Sequence, residues 1–249
     1  MNRYLLEISY NGYGYSGWQV QSKGLTIQGE LQDSLSTLLS TNIKLHGAGR
    51  TDTGVHAVQS FAHFDIDQSI DIEELKFKLN RFISKNISIN NIFIVSSDFH
   101  ARYSAISRTY EYWINFKKDP FLENRSFFYP KILNLKLFNE GCSLIIGKKD
   151  FSSFCKSKSD VKNKICNVTF ANCYVNNDMF VFKIKANRFL HNMVRSLVGT
   201  LIDFSTSKIK RPDIIDIISK KDRKKSGYSV PAHGLYLVNV EYPKNSFCE

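Results

Sequence analysis

The sequence predicts an α+β protein built from two ferredoxin-like halves, each with the element order β-α-β-β-α-β. Two observations predict this class. Apolar residues change along the chain between the alternation typical of strands and the three-and-four spacing typical of helices. The same order of elements also occurs twice, before and after residue 103. We therefore expect two domains, 1–102 and 103–249, whose sheets lie side by side in one broad, mostly antiparallel sheet.

The first half contains four predicted strands and two predicted helices. Apolar or alternating runs give the strands 4–10, 43–48, 58–65 and 91–99. A glycine-rich loop follows the first strand. A helix is predicted after Thr26, because apolar side chains then recur on one helical face. Asp71 and Glu74 form a capping-box pattern, so the second helix is predicted to start there.

The second half repeats this order. Its predicted strands are 109–116, 165–175, 179–186 and 235–242. Asn176, Asn177 and Asp178 predict a hairpin turn between the middle two strands. Its predicted helices are 135–147, 189–204 and 212–219. The repeat lies in the order of elements, because the residues themselves are not repeated.

Charge and composition indicate a soluble protein with a polyanionic partner. Lys and Arg number 34 against 23 Asp and Glu, which leaves a net charge of +11. An excess of this size favours nucleic acid, because Lys and Arg neutralise phosphates and release counterions. No apolar run reaches the ~18 residues of a membrane span, and Glu7 lies where a signal peptide would remain apolar. We expect a cytoplasmic protein with no membrane contact.

The cysteines, histidines and basic run have simple interpretations. The five cysteines are Cys142, Cys155, Cys166, Cys173 and Cys248. They form no C-x-x-C pair, which favours reduced thiols over a zinc site. His56 and His233 lack the spacing of a metal pair and are interpreted as structural or as facing nucleic acid. The basic run 220–225 is either a solvated loop or a set of phosphate contacts.

Residues 46–57 form the densest group of chemically active side chains. Three glycines here allow positive φ and a close approach of a ligand to the backbone. Arg50, Thr51 and Asp52 place a cation, a hydroxyl and a carboxylate in consecutive positions. A structural alternative is that Arg50 pairs with Asp52 in an exposed hairpin. A phosphate-binding P-loop is another alternative, but its Lys-Ser/Thr ending and strand-to-helix context are missing.

Residues 47–57 (GAGRTDTGVHA) resemble the signature of the tRNA pseudouridine synthase A family. Four further segments resemble the same family in the same order: 10–19 (YNGYGYSGWQ), 108–112 (RTYEY), 189–195 (FLHNMVR) and 231–237 (PAHGLYL). The signature is highly specific, and together the segments span the chain. Asn11 stands where the family pattern has Asp, and Thr53 occupies a variable position; neither affects the chemistry.

The resemblance implies an isomerase with the pseudouridine-synthase form of the predicted sheet. It implies conversion of uridine to pseudouridine at positions 38 to 40 in the anticodon stem-loop of tRNAs, with Asp52 as the catalytic nucleophile. The target uridine is expected to flip out of its stack. No redox change or external group takes part, so no cofactor and no metal are expected. The resemblance also implies a homodimer in which one tRNA contacts both subunits.

Three further residues receive substrate-binding roles from the resemblance: Tyr110, Arg50 and Arg195. Tyr110 is expected to stack on the flipped uracil and to help move the C5 proton, although a strand tyrosine is otherwise typical of core packing. Arg195 is expected to keep the Asp52 carboxylate ionised, because a neighbouring cation favours the charged form; the alternative is an exposed arginine. Arg50 is expected to contact the RNA backbone or to fill the space that the flipped base leaves.

Two alternative functions stay open from the residues alone. A non-catalytic RNA-binding module would explain the charge and the fold, since RNA-recognition motifs share the ferredoxin-like topology. It would not need the cluster at residues 49–52, and the aromatic RNA-recognition signature is absent. A structural or protein-interaction role would explain the sheet but not the charge. Catalysis is the interpretation that uses all of these features.

Overall fold

The computed structural model describes residues 1–157 and 161–247, and Cys248 lies outside them. Within the described residues lie ten strands: β1 (Asn2–Tyr10), β2 (His46–Gly47), β3 (His56–Ile66), β4 (Ile87–Val95), β5 (Ser107–Asn115), β6 (Phe127–Phe128), β7 (Gly147–Asp150), β8 (Ile165–Asn176), β9 (Met179–Ala186) and β10 (Leu235–Glu241). The same residues form five α-helices: α1 (Ile27–Leu38), α2 (Ile72–Phe82), α3 (Leu135–Ile145), α4 (Met193–Ser205) and α5 (Arg211–Lys220).

Contacts between residues group the chain into two compact units. The first consists of Met1–Ile106 and the chain from Tyr236 onward, and the second is Ser107–Leu235. Nearly all of the final strand is therefore counted with the first unit. The predicted domains 1–102 and 103–249 follow the repeat of elements in the sequence and stay a prediction.

The first unit has the strand order of a ferredoxin-like fold. β1 lies between β3 and β4 and is antiparallel to both. β2 pairs with β3 in antiparallel fashion, and β10 runs parallel to β3. Thr26 caps α1 by accepting a hydrogen bond from the Gly29 N–H, and Asp71 caps α2 in the same way through Glu74. Both predicted helix starts are thus confirmed.

The second unit is a mostly antiparallel sheet with a helical layer. Four of its strands lie in the order β5-β9-β8-β7, each antiparallel to its neighbour, and the short β6 pairs with β5 in parallel. Asn177 and Asp178 join β8 to β9 with positive φ of 47° and 63°. Two consecutive residues in this region make the type I′ turn that matches the twist of a hairpin. The predicted hairpin is therefore confirmed.

The predicted α+β class with mostly antiparallel strands is confirmed by these elements. Alternation along β1 buries Tyr4, Leu6, Ile8 and Tyr10 on one face. In the second unit, Phe138 of α3 packs edge-to-face on Phe180 and Phe182 of β9. None of the helices in the described part of the chain is long and apolar enough to cross a membrane.

The strand predicted at 43–48 is mostly wrong, because only its two residues in β2 form a strand. The backbone of Leu45 explains the difference. Its N–H donates to the Gln32 side chain at 3.1 Å, and its carbonyl accepts from the Gln28 side chain at 2.8 Å. Side chains of α1 thus take the hydrogen-bonding groups that a neighbouring strand would use.

The bounds of two other predicted elements differ from the structure by four residues, and the helix predicted at 135–147 ends at Ile145. The strand predicted at 91–99 is β4 and ends at Val95, because the Phe99 N–H donates to the Ser96 carbonyl at 3.0 Å and closes a turn. The helix predicted at 189–204 begins only at Met193. Asn192 has φ of 68°, in the left-handed region, so no right-handed helix can pass through it.

Candidate active site

Asp52 lies in a tight turn that leads into β3; we call residues 51–55 the signature turn. The Val55 N–H donates to the Asp52 carbonyl at 3.1 Å and closes the turn. Gly54 has φ of 77°, the left-handed backbone that a type II turn requires at its third position. The Asp52 residue is partly exposed. The turn therefore presents its carboxylate-bearing residue at the surface on a closed backbone.

A second segment, which we call the glycine loop (residues 11–18), packs directly against the signature turn. Gly17 has φ of 92°, and a Cβ there would lie 2.6 Å from the carbonyl oxygen of Thr51. A Cβ on Gly12 would lie 2.0 Å from the carbonyl oxygen of Val55. Real Cβ atoms do not approach so closely, so only glycine lets the two backbones meet.

Trp18 and Tyr10 anchor Thr51, the first residue of the signature turn. Trp18 is 2% exposed, and its backbone N–H donates to the Thr51 carbonyl at 3.1 Å. A Cβ on Gly47 would lie 2.5 Å from the indole ring, so this signature glycine makes room for Trp18. The Tyr10 hydroxyl lies 2.9 Å from the Thr51 hydroxyl oxygen. Thr51 is thus fixed through both its backbone and its side chain.

The amino terminus of α1 holds the glycine loop in turn. The N–H groups of Ile27 and Gln28 donate to the carbonyls of Gly17 and Trp18 at 3.2 and 3.0 Å. These N–H groups have no partner within the helix, so the loop satisfies them. A continuous series of main-chain contacts therefore connects α1 to the residue before Asp52.

His56 is a structural residue. It is 3% exposed, and its Nδ1 accepts a hydrogen bond from the Gly12 N–H at 3.1 Å. Its ring stacks on Tyr236 of β10 with 4.6 Å between ring centroids. His56 therefore joins the glycine loop to the start of β3.

Arg50 and Gly49 precede the signature turn at the surface. The Arg50 side chain is exposed, and its Nε donates to Gln19 Oε1 at 3.0 Å. Gly49 lacks positive φ, and a Cβ there would meet no atom within 4 Å. Among the described residues, nothing requires glycine at this position. The backbone at Gly49 is therefore open on the side where a Cβ would lie.

Tyr110 lies on β5 in the second unit, opposite Ile184 of β9. Its residue is half-buried, and its ring meets Phe189 edge-to-face at 5.1 Å. Two residues on, Tyr112 is fully buried, and its hydroxyl donates to the Pro231 carbonyl at 2.8 Å. Burial raises the pKa of Tyr112, which keeps its hydroxyl protonated as a structural donor.

Arg195 lies on α4, also in the second unit, and is partly buried. Its Nε donates to the Val230 carbonyl at 2.7 Å, and the Val230 N–H donates to the Arg195 carbonyl at 3.4 Å. These bonds fix the direction in which the guanidinium leaves the helix. They also hold the chain near residue 230 against α4.

The side chains that hold residues 226–231 in place were not predicted from the sequence. Arg223 donates to Ser226 Oγ at 2.7 Å, to the Gly227 carbonyl at 3.1 Å and to Ser229 Oγ at 2.9 Å. Asn192 Nδ2 donates to the same Ser229 oxygen at 2.6 Å. Arg223 belongs to the basic run 220–225, and its hydrogen bonds give it a structural role. Lys224 and Lys225 of the same run are exposed. The Ser-Gly-Tyr-Ser sequence after the run is the one signal of these contacts.

The structure brings two of the four predicted site residues into one loop. Arg50 and Asp52 lie together in the first unit, and Tyr110 and Arg195 lie in the second. The substrate-binding roles of Tyr110, Arg50 and Arg195 and the catalytic role of Asp52 stay predictions.

The described residues contain no group of three or more His, Cys, Asp or Glu side chains that could hold a metal ion. Four cysteines are free and buried: Cys142, Cys155, Cys166 and Cys173. Burial raises the pKa of Cys142 to about 12 and that of Cys166 to about 11. The Cys142 and Cys166 thiols therefore stay protonated and unreactive at neutral pH. His233 is half-buried, and burial is the main cause of its lowered pKa.

Known proteins match this chain along its whole length. A sequence model of the family described as tRNA pseudouridine synthase matches residues 142–243. A protein named tRNA pseudouridine synthase A from Parabacteroides distasonis is 42% identical over 248 residues, which cover 99% of this chain and 98% of that protein. The protein of that name from Caldicellulosiruptor bescii is 40% identical, covering 97% of this chain and 100% of its own. The one from Staphylococcus aureus is 33% identical, covering 98% and 93%.

Proposed function

This chain belongs to the tRNA pseudouridine synthase A family and is an isomerase that acts on tRNA; from that premise we propose the uridines that it modifies and the residues that do so. We propose that it forms pseudouridine at positions 38 to 40 of the anticodon stem-loop, with Asp52 as the nucleophile. One observation carries the proposal: Asp52 is partly exposed on a turn whose backbone is held on both sides.

The reaction exchanges one bond at the ribose for another. The bond between ribose C1′ and uracil N1 breaks, and a bond between C1′ and C5 forms. The proton on C5 leaves and N1 gains one, so the atoms and the oxidation state of the nucleotide are unchanged. A carboxylate can serve as the nucleophile that carries the intermediate. The uridine must leave its stack so that a side chain can reach these atoms.

The main-chain contacts of the signature turn support this role for Asp52. A nucleophile held in place before the substrate arrives pays little entropy when the reaction begins. Thr51 is fixed by Trp18 and Tyr10, and Gly54 closes the turn on the other side. Among the described residues, no atom lies within 4 Å of a Cβ built on Gly49, so the backbone three residues before Asp52 is accessible to a ligand.

The other predicted site residues receive complementary roles. We propose that Arg50 contacts the RNA backbone or fills the space that the flipped base leaves. Arg195 is proposed as the cation that keeps Asp52 ionised, and its Nε bond to Val230 fixes the direction of its guanidinium. Tyr110 is proposed to stack on the uracil; its edge-to-face contact with Phe189 limits the orientations of its ring.

We further propose a cytoplasmic homodimer in which one tRNA contacts both subunits. The net charge of +11 supports recognition led by phosphate contacts. Such recognition depends on shape more than on base sequence, which would let one enzyme serve tRNAs that differ around the anticodon.

Mapping the product tests the proposed positions. Transcribed tRNAs that carry a single uridine at position 38, 39 or 40 are incubated with the enzyme, beside a matched transcript with cytidine at all three. Pseudouridine is located by carbodiimide modification and primer extension. We expect modification at the three positions and none in the cytidine transcript. Pseudouridine found only outside the anticodon stem-loop would contradict the proposal.

A further inference from the structure

A chain of glutamine side chains links the exposed Arg50 to buried backbone in the first unit. We propose that Gln19, held by Gln28, is a positioning residue that orients the Arg50 guanidinium towards tRNA. This inference rests on the contact with RNA proposed above for Arg50. It adds the residue that sets the direction of that contact.

Gln28 is the fixed end of this series of hydrogen-bonded side chains. It is 8% exposed, and its Nε2 donates to the Leu45 carbonyl at 2.8 Å. Its Oε1 accepts from the Val20 N–H at 3.0 Å. One of these main-chain partners is an acceptor and the other a donor, so the Gln28 amide satisfies both in only one orientation. Gln32 Oε1 accepts a further bond from Gln28 Nε2 at 3.1 Å, which favours the same orientation.

The orientation of Gln28 determines that of Gln19. Gln19 Nε2 donates to Gln28 Oε1 at 2.7 Å. The other end of the Gln19 amide is therefore an acceptor, and it receives the Arg50 Nε–H at 3.0 Å. A reversed Gln19 amide would face oxygen against oxygen at Gln28 and donor against donor at Arg50. Backbone groups thus fix the direction of every hydrogen bond as far as the guanidinium.

Holding Arg50 through Nε suits a phosphate contact. The inner nitrogen bonds to Gln19, and a guanidinium uses its terminal nitrogens as a fork on phosphate oxygens. An exposed arginine otherwise samples many rotamers, and binding must immobilise it at an entropic cost. Gln19 lowers that cost because it orders Arg50 before the RNA arrives.

Among these glutamines, Gln19 is the residue whose substitution tests the inference. Gln28 also supports the backbone of Leu45, so its loss would disturb the fold as well as Arg50. The Gln19 side chain bonds to Gln28 and Arg50. Gln21 is a matched control: it is an exposed glutamine of the same segment, and its Nε2 donates to the Ser16 carbonyl at 2.7 Å.

The test measures KM and kcat for pseudouridine formation on full-length tRNA. The variants are Gln19→Ala, Arg50→Ala, the double variant and Gln21→Ala. We expect Gln19→Ala to raise KM by about 3- to 10-fold, the range for one immobilised long side chain. The double variant should match Arg50→Ala alone, because Gln19 acts through Arg50. Gln21→Ala should keep the wild-type KM, and all four variants should keep the wild-type melting temperature.

Two outcomes would overturn the inference. One is a wild-type KM in Gln19→Ala; the other is a double variant in which the two single effects multiply. A wild-type KM in Arg50→Ala would remove the role of Arg50 and the inference together. Because the Arg50→Ala product is mapped as well, continued pseudouridine formation at positions 38 to 40 would show that the proposed reaction itself stands.

Discussion

The signature turn (residues 51–55) and residues 226–231 are two backbone segments on which proposed functional residues depend. Glycines approach both closely: a Cβ on Gly17 would lie 2.6 Å, and one on Gly199 would lie 2.0 Å, from a carbonyl oxygen of the opposing segment. They differ in the other contacts that fix them. The signature turn relies mainly on main-chain hydrogen bonds.

Residues 226–231 rely on side-chain donors, of which two are distant in the sequence and one precedes the segment by three residues. The donors are Asn192, Arg195 and Arg223. A segment held by main-chain hydrogen bonds keeps its conformation after most side-chain substitutions. It must shift when a glycine at a close backbone approach is replaced. A segment held by side-chain hydrogen bonds loses stability in increments, one for each hydrogen bond that is removed. The comparison therefore predicts different consequences of substitution in the two regions.

Gly17→Ala should produce the largest effect. The added Cβ meets the Thr51 carbonyl, and the φ of 92° is strained for alanine. The signature turn must shift, and a displacement of about 1 Å at a reacting group can cost about 100-fold in rate. We expect single-turnover pseudouridine formation to fall by about that factor.

Gly49→Ala is the matched control for this substitution. Its Cβ meets no atom of the described residues within 4 Å, so the melting temperature should stay at the wild-type value. A Gly17→Ala enzyme with wild-type turnover would show that the close approach of the two loops does not position Asp52.

Lowering the pH from 7 to 5 should reduce the free energy of unfolding through His63 in the first unit. His63 on β3 is 2% exposed, and burial lowers its pKa to about 4, with positive charge on His100 and Arg3 adding to the effect. The folded state binds this proton less readily than the unfolded chain, whose histidine pKa is about 6.5. The free energy of unfolding is therefore at its full value above the unfolded pKa of about 6.5. It decreases as the pH falls from there towards the folded pKa of about 4. At pH 5 the loss should be about 2 kcal/mol.

Urea unfolding at pH 7 and pH 5 measures this loss. His63→Gln should reduce the loss between pH 7 and pH 5 by the ~2 kcal/mol assigned to His63. Glutamine keeps an acceptor for the Ala101 N–H that now bonds to His63 Nδ1. His191→Gln, at an exposed histidine, should retain the full loss. Equal pH dependence in the wild type and His63→Gln would refute the assignment to His63.

Arg223→Ala should have the smallest effect of the three. It removes three hydrogen bonds to residues 226–229, with a net cost of about 1–2 kcal/mol in the free energy of unfolding, since water replaces part of each bond. Lys224→Ala, at an exposed member of the same run, should cost almost nothing. Chemical denaturation compares the two, and equal stability would show that Arg223 does not support this segment.

The signature turn was predictable only in part: of the three glycines expected to allow positive φ, Gly54 adopts it, whereas Gly47 and Gly49 do not. Gly54 and Asp52 lie within one short motif, and turn glycines have a recognisable pattern. The class of fold followed from periodicity, which is also a local pattern. The bounds of β2, β4 and α4 did not follow, because they depend on particular hydrogen bonds and on the positive φ of Asn192.

The supporting residues were not predictable because no sequence pattern marks their contacts, whether these are distant in the sequence or local. Gln28 reaches the backbone of Leu45, and Arg223 reaches Ser229 beside Asn192, with no spacing that marks either contact. Exposed polar residues such as Gln19 have many uses. The single orientation of its amide follows from its hydrogen bonds to Gln28 and Arg50, which the folded structure brings together.

Tritium release from [5-³H]uridine-labelled tRNA tests the proposed nucleophile most directly, with Asp52→Asn compared with the wild type. Asparagine keeps the size of the side chain and the turn, but it removes the charged nucleophile. We predict release by the wild type and none by Asp52→Asn, with tRNA affinity and melting temperature unchanged. Release by Asp52→Asn at the wild-type rate would contradict the account and reduce Asp52 to a residue of the turn.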